Sequence, residues 1–176
     1  MEKQDTLKSC QFVTFVLGSE LFGVEVNRTR EILSLIPVTT VPQTPDYMLG
    51  VINLRGQVVP VIDMRLKLGM SKTEETQNTC IIVLEVQVDE ETLVVGAQAD
   101  AVREVLEVNL DQIEPPPRLG TKLKTEFIRG MGKIDEQFMI LLDIDRVFSS
   151  NELILVQDLV EQEAPETFNE EDLVEA

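Results

Sequence analysis

Arg55 stands between two apolar runs in the stretch GVINLRGQVVPVIDMRLKLG, residues 50–69. The pattern predicts two strands joined by a turn, with Arg55 at the turn between Asn53 and Gly56. Gly56 lets the turn adopt a positive φ and keeps bulk away from the guanidinium. Such an arginine can snorkel or bond a nearby carbonyl, but arginines on rigid turns are also frequent hot spots of protein interfaces. The position of Arg55 on a turn therefore predicts a residue that binds a partner protein.

A second charged pattern occurs twice, because Glu31 and Glu104 each follow an arginine and precede two apolar residues. The simpler interpretation is an exposed helix charge with local arginine pairing, worth about 0.3–0.5 kcal/mol. That interpretation fits Glu104 better than Glu31, because Glu31 has to be considered together with Arg55 and the apolar surface of the first half.

Catalytic patterns are missing from the sequence. The chain has no histidine, which is the commonest general base, and it carries no nucleophile motif, glycine-rich phosphate loop or cluster of metal ligands. Asp63 and Asp143 stand where a strand gives way to a helical turn, which predicts helix N-caps for both. The sequence therefore predicts a protein that is not an enzyme and binds no metal or cofactor.

Composition predicts a soluble protein made for the cytoplasm. The chain has 176 residues, of which 43% are hydrophobic, and its apolar runs are far shorter than the roughly 20 residues that span a bilayer. The first eleven residues contain no apolar signal-peptide core. Cys10 and Cys80 belong to no CxxC motif, which favours small buried residues in a reducing compartment.

The net charge of −17 is unevenly distributed, because residues 147–176 hold nine acids and no lysine or arginine. This charge would repel phosphate backbones and argues against nucleic-acid binding. We expect residues 1–9 to form a flexible lead. Residues 151–176 should begin as an amphipathic helix and continue as a disordered acidic tail.

Short strands with frequent turns predict an all-β fold with short helices. The period of VNRTREIL, residues 26–33, favours a short helix or a helical turn. Blocks 22–65 and 95–145 resemble each other: FGVEVNRTREIL matches VGAQADAVREVL at an offset of 73, and GVINLRGQVVPVIDMR matches GMGKIDEQFMILLDID at an offset of 80. We infer two related five-stranded barrel lobes side by side, with Asp135 at the position that corresponds to Arg55.

Four segments resemble the CheW family of bacterial chemotaxis coupling proteins: FVTFVLGSELFGVEVNRTREIL, VPQTPDYMLGVINLRGQVVPVIDMR, VVGAQADAVREVLEV and IEPPP. The resemblance covers roughly residues 10–150. It implies two SH3-like five-stranded β-barrels around a shared hydrophobic seam. It also implies a non-enzymatic adaptor that links the cytoplasmic tips of transmembrane chemoreceptors to the histidine kinase CheA, whose regulatory domain has the same fold.

The resemblance also implies two binding surfaces. A receptor helical hairpin would dock near the lobe junction, where the matching positions are Glu31, Gly50, Asn53 and Arg55. Thr29 stands where relatives often have an aliphatic residue, which suggests altered receptor preference. The kinase would bind the loop IEPPPRLG through Glu114, Arg118 and Leu119, and the charges of Glu114 and Arg118 are exchanged relative to the family pattern. The sequence leaves open a coupling module of a non-flagellar pathway, controlling twitching motility or gene expression.

Overall fold

The computed structural model describes residues 9–72, 74–88, 90–115, 127–134 and 136–148. Within these ranges the chain is mainly β-structure with two one-turn helices, α1 (Met64–Lys67) and α2 (Ile144–Val147). The strands are β1 (Ser9–Leu17), β2 (Glu20–Glu25), β3 (Thr29–Ser34), β4 (Met48–Leu54), β5 (Gln57–Asp63), β6 (Cys80–Val88), β7 (Glu91–Ala99), β8 (Ala101–Asn109), β9 (Ile128–Ile134) and β10 (Gln137–Leu142). The predicted tail at 151–176 and most of the predicted lead at 1–9 lie outside the described residues.

Two five-stranded sheets form the fold, which confirms the predicted fold class. The first sheet has the order β8-β1-β2-β10-β9, and the second has the order β3-β6-β7-β5-β4. The two orders are the same if β1–β5 are matched to β6–β10. The internal repeat seen in the sequence is therefore also a repeat in the order of the strands within each sheet.

Each sheet draws strands from both repeats. The hairpin β1–β2 joins the sheet that contains β8, β9 and β10, because β2 pairs in parallel with β10 at Leu21 and Met139. The hairpin β6–β7 likewise joins β3, β4 and β5, through the parallel pairing of β7 with β5 at Gly96 and Val61. A lobe of this protein is thus one hairpin of one repeat combined with three strands of the other.

Both sheets curl so that their outer strands approach each other. The chain that leaves edge strand β3 reaches the opposite edge strand β4, where Thr39 and Val51 exchange backbone hydrogen bonds of 2.9 and 2.8 Å. Glu114 and Met131 make the equivalent exchange in the first sheet, at 2.8 and 2.7 Å. Gly50 permits the first of these contacts, because a Cβ there would lie 2.1 Å from the carbonyl oxygen of Thr39.

The largest apolar cluster lies between the two sheets and confirms the predicted shared seam. It combines Phe15 and Phe22 of the first sheet with Ile62 and Leu84 of the second. A smaller cluster fills the inside of each curled sheet, around Phe12 in the first and around Ile52, Val59, Val61, Ile81 and Val83 in the second. Side chains therefore fill most of the interior of each lobe, as small barrels require.

The helix predicted over residues 26–33 is wrong beyond Arg28. Only Val26–Arg28 form a helical turn, of the 3-10 type, and β3 begins at Thr29. Along β3 half-buried and exposed residues alternate strictly, and Ile32 pairs with Ile82 of β6. Pairing with a long neighbouring strand overrides the weak helical spacing, because local propensity yields to tertiary context. Glu31 is consequently a strand residue.

Of the two predicted N-caps, the one at Asp63 is confirmed and the one at Asp143 is wrong. The buried side chain of Asp63 accepts a hydrogen bond from the backbone N–H of Arg65 at 2.9 Å and a longer one from Leu66 at 3.4 Å. The side chain of Asp143 makes no capping bond and instead approaches the Nε of Arg146 at 3.6 Å. The difference follows from burial, since a buried carboxylate needs backbone donors that an exposed one can replace with water.

We expect Asp63→Ala to lower the free energy of unfolding by about 2 kcal/mol, the upper range for losing a helix cap. Asp143→Ala is the matched control and should cost less than about 0.5 kcal/mol, because only a partly exposed ion pair is lost. Urea unfolding followed by circular dichroism measures both values. Equal losses for the two variants would contradict the capping role of Asp63.

Candidate partner-binding site

Arg55 lies on a two-residue turn between β4 and β5, as the sequence predicts. Leu54 pairs with Gln57, so Arg55 and Gly56 form the whole turn, with φ angles of 51° and 86°. Two successive positive φ angles are typical of the hairpin turn that best matches the twist of a sheet. The side chain of Asn53 accepts a hydrogen bond from the Gly56 N–H at 2.8 Å. The turn therefore holds Arg55 in a fixed place.

The guanidinium of Arg55 binds the carboxylate of Glu31 with both of its terminal nitrogens. Nη1 donates to Oε1 at 3.3 Å, and Nη2 makes a short contact with Oε2. The Arg55 side chain is 71% exposed, whereas that of Glu31 is 26% exposed. The partner of Arg55 is thus a carboxylate from another strand, and most of the arginine remains open to solvent.

This ion pair spans the open side of the second curled sheet. Glu31 belongs to β3 and Arg55 follows β4, and these strands are the two edges of that sheet. A groove of about 340 Å³ lies there, lined by Arg30, Glu31, Leu54, Arg55 and Gln57. We call it the Arg55 groove. The curling of the sheet, rather than proximity along the chain, creates this site.

The neighbouring arginines lower the pKa of Glu31. The hydrogen bond from Arg55 is the main cause that holds the pKa of Glu31 below its ordinary value of 4.5, and the charges of Arg55 and Arg30 act in the same direction against the effect of partial burial. The same bond raises the pKa of Arg55. Because the folded pKa of Glu31 is depressed, the stabilisation is present above pH 4.5 and is lost as pH falls through the lower value.

We expect an NMR titration of the Glu31 side chain to give a pKa below 4.5 in the folded protein. Arg55→Gln should return that pKa toward 4.5, because the largest cause of the shift is removed. Arg103→Gln is the control, since Arg103 lies on the first sheet and does not contact Glu31. A Glu31 titration that is the same with and without Arg55 would contradict this ion pair in solution.

The other predicted receptor positions lie on the same two strands but differ in exposure. Asn53 is exposed beside Arg55. Thr29 is half-buried at the start of β3, where its hydroxyl donates to the carbonyl of Glu25 at 3.2 Å. Gly50 is buried against the backbone of Thr39, so its residue type has a packing explanation. Glu31, Asn53 and Arg55 therefore form the accessible part of the site.

The predicted kinase-binding residues are described only in part. Glu114 is exposed, and its backbone pairs with Met131 at the rim of the first sheet. Arg118 and Leu119 lie outside the described residues. Glu114 thus belongs to the first sheet, whereas the Arg55 groove lies on the second.

Two further ion pairs, which sequence analysis missed, connect the two halves of the fold. Arg65 follows β5 of the second sheet and reaches Asp100, whose carboxylate also accepts the Gly18 N–H at 2.7 Å. Arg28 makes the reverse connection to Asp145 in α2, after β10 of the first sheet. Arg65 and Asp145 are 80 residues apart, the offset of the second repeat block, and this signal was available in the sequence.

The described part of the chain contains no group of three or more His, Cys, Asp or Glu residues that could hold a metal ion. No helix among these residues is long and apolar enough to cross a membrane. The charged groups that the structure places at the site are the Arg55–Glu31 ion pair and Arg30, in an open groove.

Comparison with known protein families identifies the chain. The model of the CheW-like domain matches residues 11–152, which include both sheets and the Arg55 groove. The chain belongs to the CheW family. This membership covers every strand from β2 to β10 and all but the first residues of β1.

Individual CheW relatives match over nearly their whole length. The chemotaxis protein CheW of Klebsiella aerogenes is 38% identical over 149 residues, which are 85% of this chain and 87% of that protein. A probable chemotaxis protein CheW of Rhizobium etli is 38% identical over 81% of this chain and 89% of its own. The crystal structure of the scaffolding protein TtCheW from Thermoanaerobacter tengcongensis superposes with a TM-score of 0.72 at 32% identity, covering 81% of this chain and 90% of that one.

Proposed function

We propose that this CheW-family protein is a non-enzymatic adaptor that couples chemoreceptors to the histidine kinase CheA. It would act in the cytoplasm, where receptor arrays recruit it to the membrane. The observation that carries the proposal is the Arg55 groove, in which a rigid turn presents a mostly exposed guanidinium beside Glu31. Family membership supports the partners, because the matched relatives are chemotaxis and scaffolding proteins.

The receptor-facing side of the proposal uses an amphipathic helix of the receptor tip. Leu54, which is half-buried just before the turn, offers an apolar contact, and Ile32 is 44% exposed on the outer face of β3. A helix could place its apolar stripe on these residues while its polar side chains exchange hydrogen bonds with Arg55 and Asn53. Gly50 and Thr29 then act indirectly, by shaping β4 and β3.

The kinase-facing side uses the loop that follows β8, with Glu114, Arg118 and Leu119 as contacts. Glu114 lies on the first sheet, so a kinase bound there would leave the Arg55 groove free for a receptor. Simultaneous binding of both partners is what an adaptor requires.

The test is reconstitution from three purified proteins: this chain, CheA from the same cell, and a receptor-tip fragment. We expect the chain to bind each partner alone and to bring the two into one complex during gel filtration. Exchanging the charges of the loop, with Glu114→Arg and Arg118→Glu together, leaves the net charge unchanged and should weaken kinase binding more than receptor binding. Failure to bind CheA would reject the function, and equal effects on both partners would reject the loop assignment.

A further inference from the structure

A second groove lies at the open side of the first sheet. Its volume is about 420 Å³, and its lining includes Thr14, Leu21, Glu104, Leu106, Ile134 and Gln137. We call it the Glu104 groove. It is the repeat counterpart of the Arg55 groove, because Glu104 follows Glu31 by 73 residues, and Ile134 and Gln137 follow Leu54 and Gln57 by 80.

The cation that neutralises Glu31 has no counterpart in this second groove. The residue 80 positions after Arg55 is Asp135, an acid in place of the base. Glu104 is exposed and makes no side-chain ion pair with any residue that the structure describes. The first sheet therefore presents a groove glutamate without the arginine that its twin possesses.

Arg103 has also lost the partner of its twin. Arg30 binds Glu85 through its Nε at 3.1 Å. Gly96 pairs with Val83 in the second sheet, and its repeat counterpart Gly23 pairs with Thr14 in the first. Val83 and Thr14 are therefore equivalent positions. Two residues further along, Glu85 is equivalent to Val16, which carries no charge. Within the described ranges, Arg103 consequently has no carboxylate partner, and an unpaired base stands next to the unpaired acid.

The backbone of Glu104 is nevertheless held in place from inside the lobe. The buried hydroxyl of Thr14 donates to the Glu104 carbonyl at 2.6 Å and accepts from the Glu104 N–H at 2.9 Å. The same register puts Thr14 where the second sheet has Val83, and the repeat puts Gly132 where it has Ile52. The second sheet therefore has no hydroxyl at the position from which Thr14 binds the backbone of Glu104.

We propose that the Glu104 groove binds a segment of a partner protein that presents an arginine flanked by apolar residues. The guanidinium would pair with Glu104 as Arg55 pairs with Glu31, and its apolar neighbours would lie on Leu21, Leu106 and Ile134. Arg103 also lines the groove, next to Glu104, so the segment should carry an acidic residue as well as the arginine. This proposal is separate from the adaptor function, because its residues belong neither to the Arg55 groove nor to the 114–119 loop, although Glu114 also lies on the first sheet.

The test uses a synthetic peptide with the sequence VINLRGQVV, capped at both ends, which copies residues 51–59 of this chain and presents one arginine on a tight turn. Binding to the ¹⁵N-labelled full-length protein is followed by NMR. We expect saturable shifts of the Thr14 and Glu104 amides. The same peptide with arginine replaced by glutamine should bind at least about tenfold more weakly, since removing one partner of a charged pair typically costs that much or more.

Two variants of the protein complete the test. Glu104→Gln should weaken peptide binding about tenfold, whereas Glu107→Gln, an exposed charge on the same strand, should leave it unchanged. Circular dichroism checks that each variant is folded. The proposal is overturned if the wild-type protein shows no shifts, if the glutamine peptide binds equally well, or if Glu104→Gln binds the peptide like the wild type.

Discussion

Arg55→Glu should weaken the binding of a receptor-tip fragment by about tenfold or more while leaving the fold intact. The side chain is 71% exposed on a turn that Asn53 and Gly56 hold, so no core packing depends on it. The substitution places a second carboxylate opposite Glu31 and removes the donors that we assign to the receptor. Isothermal titration calorimetry gives the affinity, and the circular dichroism spectrum should match that of the wild type.

Two controls separate a direct contact from a general charge effect. Lys133→Glu makes the same change in net charge at an exposed position of β9, on the other sheet, and should leave receptor affinity unchanged. The double exchange Glu31→Arg with Arg55→Glu restores an ion pair of reversed direction. Binding that stays weak in the double variant supports direct recognition of the side chains of this pair, whereas recovery would mean that the pair only positions the turn. An unchanged affinity of Arg55→Glu itself would reject the receptor site.

Gly50→Ala should lower the free energy of unfolding by about 3 kcal/mol or more, which for a chain of this size is a drop in Tm of roughly 6–12 °C. Gly50 has a φ of 148°, a region that is essentially reserved for glycine. A Cβ would lie 2.1 Å from the Thr39 carbonyl oxygen, and backbone atoms cannot move aside as a flexible side chain can. The substitution therefore breaks the contact that curls the second sheet.

Gly56→Ala is the matched control, because Gly56 also has a positive φ, of 86°, but has nothing within 4 Å of its added Cβ. It should cost only about 1 kcal/mol, the penalty of the left-handed conformation alone. Thermal unfolding of both variants measures the difference. Similar losses at the two glycines would mean that the approach of Thr39 to Gly50 is not tight in solution.

The behaviour of Gly50 affects how binding data at this site should be interpreted. A Gly50 variant that fails to bind a receptor would do so through the distortion of β4 and the displacement of its turn. Arg55, by contrast, can be changed without disturbing the fold. The two substitutions together distinguish residues that build the groove from residues that a partner contacts.

The sequence alone determined the β-class of the fold, the internal repeat and the Arg55 turn. Each of these depends on short-range patterns: apolar strands, glycines at turns, and the recurrence of residues at offsets of 73 and 80. The cap at Asp63 was predictable for the same reason, because a cap and its donors lie within three residues of each other.

Tertiary structure decided what these elements do together. Residues 29–33 became a strand because β6 lies beside them, although their own spacing favoured a helix. Glu31 and Arg55 meet because β3 and β4 are opposite edges of a sheet that curls, and each sheet combines strands of both repeats. Pairing between strands far apart in sequence depends on loop closure and on competition among similar strands, and no local period encodes its outcome. The chain thus specified its strands locally, while the pairing and curling of two sheets, each built from both repeats, created the grooves.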